Sequence, residues 1–246
     1  MRSARSIGSK VVAVVCRAFA PRLAGITLVA AIAAGCGSSP SSPSSPLGTP
    51  PDSGGTGASD VASDDFERAA LGPNWVELFG QSGGIVGGKD FGMLAAGFLT
   101  VDWAARFGAD QFSEAVIAAT KPANVLVQVH VRRQSDSFAR YGFHYNPEKT
   151  PAVWEIKYDG VPTPDTRILA SSTGPALVPG DVIRIEVRGR EISGFLNGQR
   201  LLVATDLAPN AILGTGGTGI TTRLKDGTTT TSPAAVVASW RGGTLK

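Results

Sequence analysis

Val125-Leu126-Val127-Gln128-Val129-His130-Val131-Arg132 repeats an apolar residue at every second position, and its reading decides the fold. Successive side chains of a strand point to opposite faces, so one face of this segment is continuous valine. The pattern continues on either side. Tyr141, Phe143 and Tyr145 alternate with Arg140, Gly142 and His144. Trp154, Ile156 and Tyr158 alternate with Glu155 and Lys157, and Ile183, Ile185 and Val187 with Arg184, Glu186 and Arg188. Such segments predict strands with one buried and one wet face. Breakers separate them: Asn146-Pro147, Asp159-Gly160 and Pro179-Gly180-Asp181. Asn197-Gly198 between Leu196 and Gln199 predicts a two-residue hairpin, since both residues accept positive φ. About twelve strands and no long amphipathic helix are expected. That is an all-β fold, a two-sheet antiparallel sandwich or a closed barrel.

Composition agrees with one such domain plus appendages. The chain has 246 residues, of which 17% are charged and 42% apolar, so a wholly disordered chain is excluded. Thirty-one glycines and 16 prolines fit many turns. The formal charge of +3 misleads, because residues 1–35 hold five Lys or Arg and no acid. The remaining eighteen bases face twenty acids, a balance of −2, which gives no support to a nucleic-acid partner.

Residues 1–35 read as a lipoprotein signal peptide. A basic stretch leads into the uncharged Leu23–Ala34, which has the length of a signal core and is too short to span a bilayer. Ala33-Ala34-Gly35-Cys36 follows and resembles the lipobox of bacterial lipoproteins. The resemblance implies lipidation of Cys36, export and anchorage to the membrane of the cell envelope through the N-terminal lipid. Cys16, the other cysteine, falls in the leader, so no disulfide is expected in the domain. Residues 36–63 read as a disordered tether. Of residues 37–63, 21 are Ser, Pro, Gly or Thr, too polar a mixture to bury a core. The domain is expected over 64–246, long enough for one substantial core.

Within it Asp65-Phe66 and Leu71-Gly72-Pro73-Asn74-Trp75-Val76 are followed by Phe107-Gly108-Ala109-Asp110-Gln111-Phe112-Ser113-Glu114. Tyr141-Gly142-Phe143, Gly180-Asp181 running into Ile185–Gly189, and Ile192 through Leu196-Asn197-Gly198 come next. Taken in order, these segments resemble bacterial concanavalin A-like (LamG-like) jelly-roll domains. The resemblance implies two curved antiparallel sheets with the first and last strands adjacent, and Trp75 and Trp240 in the core near that closure.

Two catalytic motifs are matched in letters and not in context. Gly214–Gly219 fits G-x-G-x-x-G, but the β-like Ile220-Thr-Thr-Arg-Leu follows where dinucleotide binding needs a helix. Gly80-Gln81-Ser82-Gly83-Gly84 fits G-x-S-x-G, but the glycines after it make a poor helix for a nucleophile elbow. Glycosidases of the resembled fold carry Glu-x-Asp-x-Glu on one strand, and here no Glu is followed two positions later by Asp. Two histidines and no free cysteine in the domain argue against a zinc site. No cofactor is indicated. Calcium can be held by lone aspartates and carbonyls, which sequence does not mark.

The candidate ligand residues are those on the polar phase of three neighbouring strands: His130, Arg132, Arg140, His144 and Glu155, with Gln128 and Lys157 beside them. They read either as a polar floor that hydrogen-bonds hydroxyls or as a solvated face of cross-strand charge pairs. Trp103 and Trp154 lie on the apolar phase and read as core. The leading functional expectation is a lipid-anchored envelope protein whose sandwich binds a glycan or another extracellular polymer without cleaving it. The alternatives are an envelope module that binds a protein partner, and an atypical glycoside-active enzyme.

Overall fold

A computed structural model describes residues 60–80, 83–119, 121, 124–135, 137, 139–160, 165–224 and 234–246. The leader, Cys36 and the tether up to residue 59 lie outside the described residues. Fifteen strands and no helix occur among the described residues, more strands than the sequence predicts, because several are only four residues long. They are β1 (Val61–Asp64), β2 (Trp75–Phe79), β3 (Gly83–Val86), β4 (Asp90–Met93), β5 (Gly97–Trp103), β6 (Gln111–Ile117), β7 (Val125–Arg133) and β8 (Arg140–Asn146). They continue with β9 (Val153–Asp159), β10 (Arg167–Ser172), β11 (Val182–Arg188), β12 (Glu191–Leu196), β13 (Gln199–Thr205), β14 (Gly217–Leu224) and β15 (Ala234–Thr244).

The strands form two antiparallel sheets, a jelly-roll sandwich. One runs β13-β12-β11-β6-β15-β4-β3, with β1 also paired to β15; the other runs β10-β9-β8-β7-β14-β5-β2. The valine phase of β7 faces inward with Phe143 and Ile156, against Ile183, Ile185 and Val187 from the other sheet. Asn197 and Gly198 have φ of 51° and 78° and turn β12 into β13, as the hairpin signature predicts.

The first and last strands close the sandwich. Val61 to Asp64 pair with Gly243 to Trp240, so Val61–Ser63, the last residues read as tether, belong to the sheet. At this seam Trp75 and Trp240 are buried with ring centroids 4.8 Å apart, and Trp103 stacks on Trp240 at 5.5 Å. Each indole N–H of the buried pair finds an acceptor, as burial requires. Trp75 donates to Asp64 Oδ2 at 2.7 Å and Trp240 to Ser113 Oγ at 2.9 Å. Ser113 in turn donates to the Gly219 carbonyl at 3.0 Å. One buried hydroxyl therefore ties the closing strand of one sheet to the backbone of the other.

Arg132 departs from its expected place. Its φ is 52°, and the β7–β14 register slips between the pairs Gly219–His130 and Gly217–Arg133. The bulge sends Arg132 off the polar face into the interior at the end of the sandwich. There it is fully buried and donates to the carbonyls of Ala109, Gly189 and Ile212, each at 2.6 Å. It clamps three loops and is not a floor residue. Arg133 takes the position on the polar face that alternation assigns to Arg132.

Ser113→Ala leaves the Trp240 N–H and the Gly219 carbonyl without their shared partner, at a cost of about 1–3 kcal/mol. Urea unfolding measures it; a midpoint unchanged from the parent contradicts the role given to this hydroxyl.

Candidate binding cleft

The face of the seven-stranded sheet turned away from the core is a lattice of polar rows. One row crosses β5, β14, β7, β8 and β9 as Asp102, Gly219, His130, Gly142 and Lys157. The next reads Thr100, Thr221, Gln128, His144 and Glu155. Beyond it Phe98, Arg223 and Leu126 lie side by side. At the opposite end Arg140 pairs in register with Asp159.

Glycine lets the rows interlock. At Gly219 a Cβ would lie 2.0 Å from the Val101 carbonyl and 3.0 Å from His130 Nε2. The bare backbone allows Asp102 to reach across β14 and accept from His130 Nε2 at 2.7 Å. Arg133 completes the cluster through Asp102 Oδ2. At Gly142 a Cβ would collide with the Gln128 amide, which instead passes over β8 to donate to Asp159 Oδ2 at 3.1 Å. The third glycine of the G-x-G-x-x-G match thus makes room for a carboxylate–imidazole pair inside a strand, with no phosphate loop. Strand β3 follows the G-x-S-x-G match where an elbow requires a helix; Ser82 itself lies outside the described residues.

The expectation of a wet face is corrected here. His130 is wholly buried, and His144, Glu155 and Gln128 are nearly so. His130 is bonded to Asp102, His144 to Glu155 and Gln128 to Asp159. His144 Nε2 lies 3.0 Å from Glu155 Oε2, and Lys149 Nζ lies 2.8 Å from Oε1. The hydrogen bond from His144, then those from Lys149 and Asn146, hold the Glu155 carboxyl at about 2 against its burial. Burial pushes both imidazoles below their ordinary value, more strongly than their carboxylate partners raise them. Burial opposes the charge of Asp102 as well, but the hydrogen bonds from His130 and Arg133 and the charge of Arg133 outweigh it, and its pKa is lowered. The consistent state is neutral imidazole donating Nε2–H to ionised carboxylate. Each Nδ1 is buried with no hydrogen-bond partner among the described residues.

Above this sealed layer opens a cleft of about 260 Å³. Phe98, 47% exposed, forms one end with Phe79 and Leu126; Thr100, Thr221 and Gln128 line the middle; Arg140, Lys157 and Asp159 form the other end. Thr100 and Thr221 share a hydrogen bond at 3.0 Å. Of the five residues singled out from sequence, Arg140 alone lines the cleft. His130, His144 and Glu155 lie in the layer beneath it, and Arg132 is elsewhere in the fold. Phe98 escaped the sequence reading although its signal was present: it precedes Leu99, Val101 and Trp103, so it falls on the polar phase. A larger hollow of about 520 Å³ lies at the β1–β15 seam. Among the described residues three carboxylates line it: Asp64 is paired with Arg68 and Glu114 with Arg184, while Asp65 accepts from the Glu67 amide.

No family model matches the chain, and no curated protein shows significant similarity to it. Solved structures do resemble it. A β-glucanase from Bacillus licheniformis aligns with a TM-score of 0.54 at 10% identity, over 77% of this chain and 100% of its own. The carbohydrate recognition domain of Emp47p gives 0.54 at 9% identity, over 78% and 100%. A protein of unknown function with a galectin-like fold from Bacillus subtilis gives 0.54 at 9%, over 74% and 94%. The chain therefore has the concanavalin A-like, galectin-like jelly-roll fold.

Because both histidines sit below the ordinary value of 6.5, the unfolded chain binds more protons than the folded one as pH falls below it. Stability present above pH 6.5 is lost on acidification, by up to about 1.4 kcal/mol per pH unit for each histidine. Denaturant unfolding at stepped pH measures the slope, and His130→Gln with His144→Gln flattens it. A wild-type stability that is level or rises from pH 7 to 5 contradicts the neutral-imidazole assignment.

Proposed function

We propose that the chain is an exported, lipid-anchored protein of the bacterial cell envelope whose sandwich binds carbohydrate without cleaving it. The observation that carries the binding reading is the cleft, where a half-exposed phenyl ring ends a row of hydroxyl and amide groups. Apolar CH faces of a sugar pack on such a ring, while the Thr100 and Thr221 hydroxyls beside it offer a donor and acceptors for its hydroxyls. The neutral-imidazole layer below holds those groups in place, which lowers the entropy lost on binding. Neighbours of this fold include a carbohydrate recognition domain and glucanases, a fold-level analogy consistent with the reading.

Glycoside cleavage needs two carboxyl groups facing each other across the bond, one of them free to hold a proton. Among the described residues the cleft is lined by one carboxylate, Asp159. The charges of Lys157 and Arg140 and the Gln128 hydrogen bond keep it ionised in spite of burial. The anchor and tether rest on Ala33-Ala34-Gly35-Cys36 and the Ser/Pro tract after it. Together they place the sandwich at a distance from the membrane, where extracellular polymers are met.

The purified full chain, held in detergent, is to be screened on a glycan and polysaccharide array with and without calcium. Saturable binding is expected, weakened about tenfold or more by Phe98→Ala, with no new reducing ends released. Binding to envelope proteins and to no glycan contradicts the carbohydrate reading. Mass spectrometry of the native N-terminus is expected to show a diacylglycerol-modified Cys36; an unmodified, cleaved chain contradicts the anchor.

A further inference from the structure

The cleft carries a charge imbalance that a neutral sugar leaves unused. Among the described residues three cations line it, Arg140, Lys157 and Arg223, against the single carboxylate Asp159. That carboxylate is already occupied: Lys157 Nζ lies 3.0 Å from Oδ1, Gln128 donates to Oδ2 at 3.1 Å, and Arg140 Nε stands 3.4 Å from Oδ2. One negative charge cannot neutralise both neighbours. Arg140 Nε is buried and makes no hydrogen bond among the described residues. At the other end Arg223 is 51% exposed, and among the described residues its one carboxylate neighbour, Glu148, stands off at 3.7 Å. An exposed pair of that length holds little energy and yields readily to a better acceptor.

The placement of these charges adds to their number. Arg140 sits at one end of the lattice and Arg223 beside Phe98 at the other, separated by the Thr100–Thr221–Gln128 row. Neutral hydroxyls in the middle and a cation at each end match a chain that bears a negative charge on more than one ring.

We propose that the cleft takes an anionic polysaccharide, with one ring packed on Phe98 and its carboxylate or sulfate groups held by Arg223 at one end and by Arg140 with Lys157 at the other. The inference rests on reading the cleft as a carbohydrate site. Guanidinium groups suit it because their planar fork matches a carboxylate or sulfate oxygen pair.

The test compares matched polymers on the immobilised full chain: polygalacturonate against its methyl ester, and dextran sulfate against dextran. The anionic member of at least one pair is expected to bind about tenfold or more tightly than its neutral partner, the worth of one charge-assisted hydrogen bond. Preference within the first pair identifies carboxylate, within the second sulfate. The affinity is expected to fall as salt rises from about 50 to 300 mM. Arg223→Gln and Arg140→Gln should each weaken it several-fold. Arg184→Gln, on the outer face of the other sheet, should not. Equal binding of both members of each pair overturns the anionic inference and leaves the carbohydrate reading standing. Equal weakening by Arg184→Gln overturns it too, by showing general attraction to a cationic surface. No binding to any of the four overturns both.

Discussion

No side chain can be built at position 219, and the structure depends on that constraint on both sides of the sheet. Gly219 lies in β14, between β5 and β7, with the Val101 carbonyl 2.0 Å from where its Cβ would stand. On the core side its carbonyl accepts from Ser113, which also receives the Trp240 indole that closes the sandwich. On the polar side its bare backbone lets Asp102 meet His130 across the strand. Closure of the fold and organisation of the polar face therefore converge on one residue. A methyl group there would push apart two strands and break a buried carboxylate–imidazole contact whose members have no solvent to fall back on.

The burial of that layer sets what the cleft can do. Charged and polar groups removed from water and bonded to one another hold each other in fixed positions. His144 with Glu155, and Gln128 with Asp159, leave few floor atoms free to reorient when a ligand arrives. Contact with a ligand passes instead to the groups above and around that layer, the Phe98 ring, the Thr100 and Thr221 hydroxyls and the cations at the ends. This division suits recognition of an extended polymer, where many modest contacts act along a line, more than it suits chemistry, which needs a proton held ready at a reactive bond.

Much of this was legible in the residues themselves. Period-two alternation located the long strands and their buried phase, and Asn197-Gly198 fixed a hairpin because its dihedral demand is local. The tryptophan seam followed from the family resemblance. Three features were not legible. Arg132 left its phase because a bulge turned the backbone to positive φ, and alternation contains no sign of a bulge. His130, His144 and Glu155 were assigned to the right face, yet alternation tells which way a side chain points and not whether it stays wet. Val61–Ser63 fall within the Ser/Pro/Gly-rich tract, and they form a strand with Asp64 only through pairing with β15, far away in the chain. Phe98 was the opposite case, a residue whose phase was plain and whose significance appeared only when Thr221 and Gln128 were seen in the row beside it.

The central claim is that ligand is held on this polar face of the seven-stranded sheet. Backbone amide shifts of the protein, followed by NMR during titration with an oligosaccharide that it binds, test this most directly. The account predicts saturable shifts concentrated at Phe98, Thr100, Gln128, Arg140, Thr221 and Arg223, with the β1–β15 seam unmoved. Shifts concentrated at the seam hollow around Trp103 and Arg241, or on the outer face of the other sheet around Glu114 and Arg184, would contradict it.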